Sequence, residues 1–430
     1  MATPYRIVLG PQDMGNFHRK TYDPITAAKV SELLQRNLES FDIIFRGARH
    51  NHIVHFLLTL YALGATPDEM DKAYDREAAY QRPRFPVDDR VVSAMADSTK
   101  LKDYLGQQPQ YSNFLLFFQR EIEAMEVKET LEKHLFADTE HAARMLPRVF
   151  TSIFHGYLHL GFAFEFNQPA IVAEALSMVC VNDAESTKIE PIFARSETLA
   201  GGPRQPGQKS LRRLMEEVRG DEILKRSIEG PYVRDRSKNI ADNAMTQIVK
   251  YTAQYSISDE QLEGRLDEMV DTCSVLLATR PSRIPPGEPH KIDFILFHTV
   301  NTLVLMPTLV QHQWISRENA IRLMEWAGRL HLLHYVAETA PPLSTAKLDI
   351  YPSLRSWDQV IHLAINHPSD DGHLVKNIRA LAWGEQVMSK NYEDARHIMH
   401  PGSWLKLANL VVDTVPYDAK ASDERWLLHF

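Results

Sequence analysis

Apolar residues at helical spacing dominate this 430-residue chain, and that periodicity favours a helical fold over a sheet. Clear examples are HNHIVHFLLTLYALGA, NFLLFFQREIEAMEVKETLEKHL and WLKLANLVVDTV, while YRIVLG near the start is a short candidate strand. Capping signals agree, because Thr66, Pro67 and Glu69 form a helix start and Gly64 ends the helix before it. We predict an all-α fold: a single large multi-helix domain over residues 1–430, with a charged excursion around 200–240.

Charge and hydropathy narrow the range of partners. The net charge is −8, from 48 basic and 56 acidic side chains, and no Lys/Arg block dominates, so no nucleic-acid partner is expected. The first residues lack a signal-peptide pattern. The most apolar stretch, FILFHTVNTLVLMPTLV, is interrupted by His298, Asn301 and Pro307, which favours a buried helix over a membrane span. We expect a cytoplasmic protein with no membrane partner, and the sequence does not indicate its oligomeric state.

Several common cofactor and catalytic motifs are missing from the sequence. It has no Gly-x-Gly-x-x-Gly after a strand, no Walker loop and no Gly-x-Ser-x-Gly elbow. Its two cysteines, Cys180 and Cys273, provide neither a disulfide framework nor a Cys-based zinc site. A flavin or NAD(P) enzyme with a doubly wound sheet is therefore not expected, and neither is a serine hydrolase.

Histidines are unusually frequent: the chain has 19, and several lie in its most apolar segments, where an unpaired polar ring is costly. A single inward-facing histidine is more often a hydrogen-bonded core residue than a ligand, and we assign that role to His331 and His334. Four segments together make a stronger case, because helix bundles build metal sites from one or two side chains on each of several facing helices. These segments carry His50, His52 and His55; His155 and His159; His298; and His373 with Lys376. Imidazole suits iron, copper, nickel and zinc, so the residues alone leave the metal open.

Lys376 lies one turn after His373 on a predicted amphipathic helix whose apolar face includes Leu374 and Ile378. Burial next to a bound cation lowers the pKa of a lysine, and the neutral amine can then add carbon dioxide to give a carbamate. The carbamate would bring one negative charge to a site otherwise made of neutral histidines. A surface cation and a partner for Asp370 are the alternatives, and the sequence pattern does not choose among the three.

These same stretches resemble the questin-oxidase-like proteins of fungal polyketide pathways, relatives of non-haem iron dioxygenases that open an anthraquinone ring. The resemblance covers most of the chain and is carried by HNHIVHFLLTLYALGATPDEM, HGYLHLGFAFEFNQPAIVAEAL, FHTVNTLVLMP and GHLVKNIRALAWGE. It implies a mononuclear Fe(2+) centre with four histidines and a lysine carboxylated by carbon dioxide. The family's motifs fall here on His52, His155, His298 and His373, with Lys376 as the carbamate. Those motifs, and not the physics of the helices, select His52 over His55 and His155 over His159.

The resemblance also implies a reaction. The substrate would be a hydroxylated anthraquinone or its reduced form, opened by dioxygen at the central ring to a benzophenone acid. His55, His159 and Glu165 are candidate catalytic side chains that would hold a phenolate; for Glu165 the alternative is helix termination before Pro169. Two other functions fit the same residues: a zinc or nickel hydrolase, and a metal-free helical protein that binds aromatic polyketides.

Overall fold

The computed structural model describes residues 1–415 apart from 48, 184–187, 203–208, 233–234, 280–291, 293, 353 and 391–396. This part of the chain is mainly helical, which confirms the all-α prediction. In chain order the elements are α1 (Pro24–Ser40), β1 (Ile44–Arg46), β2 (Arg49–His50), α2 (Ile53–Leu63), α3 (Pro67–Ala78), α4 (Asp89–Met95), α5 (Ser98–Leu101), α6 (Tyr111–Leu131), α7 (Glu140–Met145), α8 (Thr151–Glu165), α9 (Pro169–Val181), α10 (Ile189–Ala200), α11 (Leu211–Arg219), α12 (Glu222–Ser227), α13 (Arg236–Thr252), α14 (Leu262–Thr279), α15 (Phe294–Asn301), α16 (Met306–Gln311), α17 (Arg317–Ala337), α18 (Ala346–Asp349), α19 (Trp357–Ile365), α20 (His373–Met388) and α21 (Ser403–Asp413).

The strand predicted for YRIVLG is wrong. The one sheet among the described residues is the small antiparallel hairpin of β1 and β2. The N–H groups of Ile7 and Val8 instead donate to the side-chain amides of Gln35 and Gln168, at 2.9 and 3.0 Å. Side chains from distant parts of the sequence thus accept the backbone hydrogen bonds of this extended segment. Local alternation of apolar residues does not distinguish such a segment from a β-strand.

The chain divides into two compact units. One comprises Met1–Ser186 with Pro307–Ser316, and the other comprises Thr187–Met306 with Arg317–Phe430. The prediction of a single domain over residues 1–430 stays a prediction.

Two helices that are apolar on all sides form the core of the first unit. α9 is buried along nearly its whole length and packs against α6 and α8, while α2 is buried at every residue and contacts α1, α3 and α8. A helix with no polar face belongs in an interior. The predicted signals at the end of α2 are confirmed, because Gly64 is left-handed (φ 82°) and Thr66 and Glu69 form a capping box for α3. Histidines on α2 and α8 are therefore held inside this unit.

In the second unit, α20 packs against α14, α15, α19 and α21. The predicted helix is confirmed, and it begins at His373 after a left-handed Gly372 (φ 95°). The carboxylate of Asp370 accepts hydrogen bonds from the backbone N–H groups of Leu374 and Val375, at 2.8 and 3.0 Å. Asp370 thus caps the helix from three residues before its first turn.

The charged excursion around 200–240 contains α11 and α12, and its residues 203–208 and 233–234 lie outside the described part. α11 is amphipathic, with Leu211, Leu214, Met215 and Val218 buried, and it packs against α14 and α17. The excursion therefore contributes apolar side chains to its unit.

Among the described residues, one stretch, Phe294–Gln311, is long and apolar enough to cross a membrane by length and composition alone. It is 72 % buried, and a core helix passes the same test, so it is only a weak indication of a membrane span. The interrupting residues His298 and Asn301 are both buried, in agreement with the predicted buried helix.

Candidate metal centre

His52 and His155 meet in the first unit. His52 is the N-cap of α2, and His155 lies in the first turns of α8. Their Nε2 atoms are 2.8 Å apart, and both side chains are buried. The Nδ1 of His155 donates to the carbonyl of Ser152. A neutral His155 ring therefore presents the bare lone pair of its Nε2 atom to His52.

An unusual backbone turn precedes His155. Ser152, Ile153 and Phe154 all adopt left-handed conformations, with φ of 51°, 55° and 64°. Such conformations are costly for any residue except Gly, and most of all for a β-branched residue such as Ile153. They persist only where the surrounding structure enforces them, and they are common at functional sites. This turn brings the Ser152 carbonyl to the Nδ1 of His155.

Gly156 allows close packing beside His155. A Cβ atom at this position would lie 2.9 Å from the carbonyl oxygen of Val149 and 3.0 Å from Cγ2 of Val179. Because backbone cannot move aside cheaply, only Gly lets α8 approach the preceding turn and α9 this closely. The His-Gly pair in the sequence thus has a packing reason.

His55 and His159 pair with each other in the same unit. The Nε2 of His55 lies 3.1 Å from the Nδ1 of His159, and both rings are fully buried. The Nε2 of His159 lies 3.7 Å from the carboxylate of Glu174, a buried residue to which the sequence pattern assigned no role. Substrate contact by His55 and His159 stays a prediction.

His298 on α15 and His373 on α20 meet in the second unit, with their Nε2 atoms 3.2 Å apart. The Nδ1 of His298 donates to the carbonyl of Phe294 at 2.9 Å, and the Nδ1 of His373 donates to the carboxylate of Asp371 at 2.5 Å. Because both Nδ1 atoms carry the hydrogen, two neutral rings would point bare lone pairs at each other. A cation, either a proton or a metal ion, is needed between the two Nε2 atoms.

The electrostatics favour a neutral His298 ring. Burial, together with the positive charges of His373 and Lys376, lowers the pKa of His298 well below its usual range. Burial alone would raise the pKa of Asp371, but the charges of His373 and Lys376 lower it. Lys376 is only 2 % exposed, so the alternative of a surface cation is wrong. Neutral imidazole is the form that binds metals.

Each unit has a pair of buried histidines whose Nε2 atoms could bind a metal ion. His52 and His155 form such a pair in the first unit, and His298 and His373 form one in the second. His55 and His159 form a separate pair in the first unit. In His155 and His373 the Nδ1 is held by an oxygen, which is the usual arrangement of a metal-binding histidine. The donor set suits a divalent transition metal.

Glu165 has a structural partner from a distant part of the sequence. It is the last residue of α8, it is buried, and its carboxylate accepts the backbone N–H of Asn16 at 2.7 Å. Asn167 is left-handed (φ 53°), and α9 begins at Pro169, as helix termination predicts. A catalytic role for Glu165 stays a prediction.

Two residues near the candidate ligands, His50 and Asp371, were given no role by the sequence analysis. His50 stacks on His155, with ring centroids 4.3 Å apart, and hydrogen-bonds to Asn182 at 2.8 Å; burial lowers the pKa of His50 to about 4. Asp371, the partner of His373, lies two residues before it. A carboxylate next to a candidate ligand at a helix start is a usable signal, whereas the position of His50 follows from packing alone.

Known proteins are similar to the chain over nearly its whole length. The model of the questin oxidase-like family matches residues 49–381. A questin oxidase of Aspergillus terreus is 34 % identical over 448 residues, which cover 99 % of this chain and 98 % of that protein. Baeyer–Villiger oxidases of Emericella nidulans and Pestalotiopsis fici are 32 % and 34 % identical, and each alignment covers 93 % of this chain and 90 % of the relative. The chain therefore belongs to the questin oxidase-like family.

Proposed function

We propose that this protein is a non-haem iron oxygenase that opens the central ring of an anthraquinone-type polyketide with dioxygen, in secondary-metabolite biosynthesis. One observation carries the proposal: this member of the questin oxidase-like family has buried histidine pairs, His52 with His155 and His298 with His373, whose nitrogens could bind a metal. A cytoplasmic location remains the expectation from the sequence.

The proposed ligands are the four histidines predicted from the family motifs, with Lys376 as a carbamate. Within the second unit, the Nε2 of His298 lies 3.2 Å from the Nε2 of His373. In His155, His298 and His373 the Nδ1 atom is bound to an oxygen of the same local segment, so each Nε2 is the nitrogen left to bind a cation. A bound Fe(2+) would supply the binding and activation of dioxygen at this point.

Charge compensation supports the carbamate. Neutral histidines leave the full charge of a divalent ion uncompensated in a buried site, which is unfavourable. A protonated Lys376 would add to that charge, and it already lowers the pKa of His298. As a carbamate the same side chain carries a negative charge, and Asp371 supplies another through His373.

The proposed substrate contacts come from side chains of the first unit. The rings of His55 and Phe162 are stacked with centroids 5.0 Å apart, and the ring of His55 lies 6.0 Å from that of His52. Such a wall suits a flat aromatic molecule. His55 and His159 would hold a phenolate of the substrate, and Glu165 is the third candidate.

Metal analysis of freshly purified protein tests the proposal. We expect stoichiometric iron, and we expect it to be lost in His373→Asn but kept in His362→Asn, a matched change at an exposed histidine. Anthraquinone substrate should stay intact under anaerobic conditions and be opened when air is readmitted, with no added flavin. Zinc or nickel would instead favour a hydrolase, and a metal-free protein that is insensitive to chelators would favour a polyketide-binding role.

A further inference from the structure

Asn301, the last residue of α15, has a buried side-chain amide that is not used within the protein. The residue is 2 % exposed, and neither its Oδ1 nor its Nδ2 has a hydrogen-bond partner. Folded proteins rarely leave such a group unpaired, because burial removes its hydrogen bonds to water and no other hydrogen bond replaces them. The amide of Asn301 is therefore available for hydrogen bonds with a molecule from outside the chain.

The neighbouring polar side chains behave differently. The hydroxyl of Thr299 donates to the carbonyl of Ile295 at 3.2 Å, and that of Thr302 donates to the carbonyl of Thr299 at 2.7 Å. Both hydroxyls donate to backbone carbonyls of α15, as polar residues in and beside apolar helices commonly do. Asn301 does not, although an asparagine has both a donor and an acceptor to offer.

The position of Asn301 places the unused amide beside the proposed centre. It follows His298 by three residues, so the two side chains are neighbours on one face of α15. The Nδ2 of Asn377 donates to the carbonyls of Phe297 and His373, at 3.3 and 3.0 Å, and so ties α15 to α20. The helix that carries Asn301 is thereby fixed, and the amide is preorganised.

We propose that the amide of Asn301 recognises the polar edge of a hydroxylated aromatic ketone. Its Oδ1 accepts from a ring hydroxyl, and its Nδ2–H donates to a neighbouring ring oxygen. An amide offers a donor and an acceptor together, so a ligand that carries both satisfies it, while a plain aromatic ring leaves it unpaired. The inference rests on the proposed function for the location of the substrate, but it does not depend on the metal or on ring opening. Sites built to bind a hydroxyl discriminate strongly against analogues that lack it.

Binding of two probes to the full-length protein as purified, kept under anaerobic conditions, tests this role. The probes are anthraquinone and the tighter of 1- and 2-hydroxyanthraquinone, titrated by quenching of tryptophan fluorescence. We expect the wild type to bind the hydroxylated probe about tenfold more tightly, as one well-placed hydrogen bond allows. Asn301→Leu, which has a similar shape but no polar atoms, should reduce that preference to less than twofold. Thr302→Val is the matched control, because it removes a hydroxyl that is already bonded to the carbonyl of Thr299. This variant should keep the wild-type preference for the hydroxylated probe.

Thermal unfolding of the ligand-free protein separates recognition from a structural role. Because the amide is unpaired without ligand, Asn301→Leu should leave the midpoint unchanged or raise it. A lowered midpoint, or a variant that does not fold, would show that the amide has a structural partner and would overturn the inference. So would a wild type that does not distinguish the probes, which indicates an ordered water only, or a preference that survives in Asn301→Leu.

The two proposals fail in different ways. An Asn301-dependent preference in a protein that binds no iron, or that opens no ring, would remove the proposed function and leave this inference in place. Iron-dependent ring opening with an unchanged preference in Asn301→Leu would support the proposed function and overturn the inference about Asn301.

Discussion

Replacing Asp371 with Asn is expected to weaken iron binding while leaving the fold intact. The Asp371 carboxylate holds the Nδ1–H of His373 at 2.5 Å, and its side chain is 25 % exposed. An Asn amide can instead donate to Nδ1, which moves the hydrogen of the His373 ring to Nε2. That Nε2–H would then point at the Nε2 of His298, 3.2 Å away, and the atom proposed to bind iron would be blocked.

The magnitude follows from the role of the carboxylate. Loss of such a partner behind a metal-binding histidine typically lowers metal affinity about 10–100-fold, or roughly 1.4–2.7 kcal/mol. We expect the upper part of that range, because the hydrogen bond of Asp371 is charge-assisted and mostly shielded from water.

Competition with a chromogenic chelator measures the Kd for Fe(2+) under anaerobic conditions. Asp349→Asn is the matched control, since this Asp is exposed at the end of α18 in the same unit, and its Kd should equal that of the wild type. Circular dichroism checks that Asp371→Asn is folded. A folded Asp371→Asn protein whose Kd lies within twofold of the wild type would refute the reasoning about the His373 tautomer.

Three further predictions address other parts of the molecule. Lys376→Arg should lose iron and turnover together, because a guanidinium forms no carbamate and repels the cation. Added bicarbonate should partly restore iron binding to Lys376→Ala. Stoichiometric iron and normal turnover in Lys376→Arg would exclude the carbamate. Gly156→Ala should lower the free energy of unfolding in urea by about 1–3 kcal/mol, since its Cβ would lie 2.9 Å from the carbonyl oxygen of Val149; an unchanged midpoint would contradict the packing argument. Burial lowers the pKa of His331 to about 3 in the folded protein. As the pH falls below about 6.5, the His331 ring of the unfolded chain is protonated while the folded ring stays neutral, so the folded state loses about 2 kcal/mol of stability between pH 6.5 and 4.5. His331→Leu should therefore flatten the pH dependence of urea unfolding by that amount and His362→Leu should not, and equal slopes in the two variants would count against the buried neutral ring.

Helix ends were predictable where the signal is a side chain next to the backbone it binds. Thr66 and Glu69 cap α3 as their spacing indicates, and Gly64 ends α2. The start of α20 was less certain, because Asp370 caps it across the left-handed Gly372. The extended segment at Ile7 was predicted wrongly, since its partners come from distant side chains.

The candidate site was predictable in its residue types and not in its details. Histidines in apolar helices are a visible anomaly in the sequence, and His52 lies against His155 and His298 against His373. The left-handed turn before His155 has no signal, because none of its three residues is Gly or Asn. The pairing of His55 with His159 also depends on how α2 and α8 pack.

Orientation and placement of the proposed ligands have different physical origins. Each ring is oriented by a partner within four residues of it: His155 by Ser152, His298 by Phe294, and His373 by Asp371. Because these partners are close in sequence, the hydrogen bonds form within a single segment, and the residues that make them can be identified from the sequence. The separations of the Nε2 atoms depend instead on close packing of helices that are remote in the chain, as at Gly156. Asp371→Asn should therefore weaken metal binding at unchanged stability, whereas Gly156→Ala should weaken both together, because it displaces a ring whose tautomer is still correct.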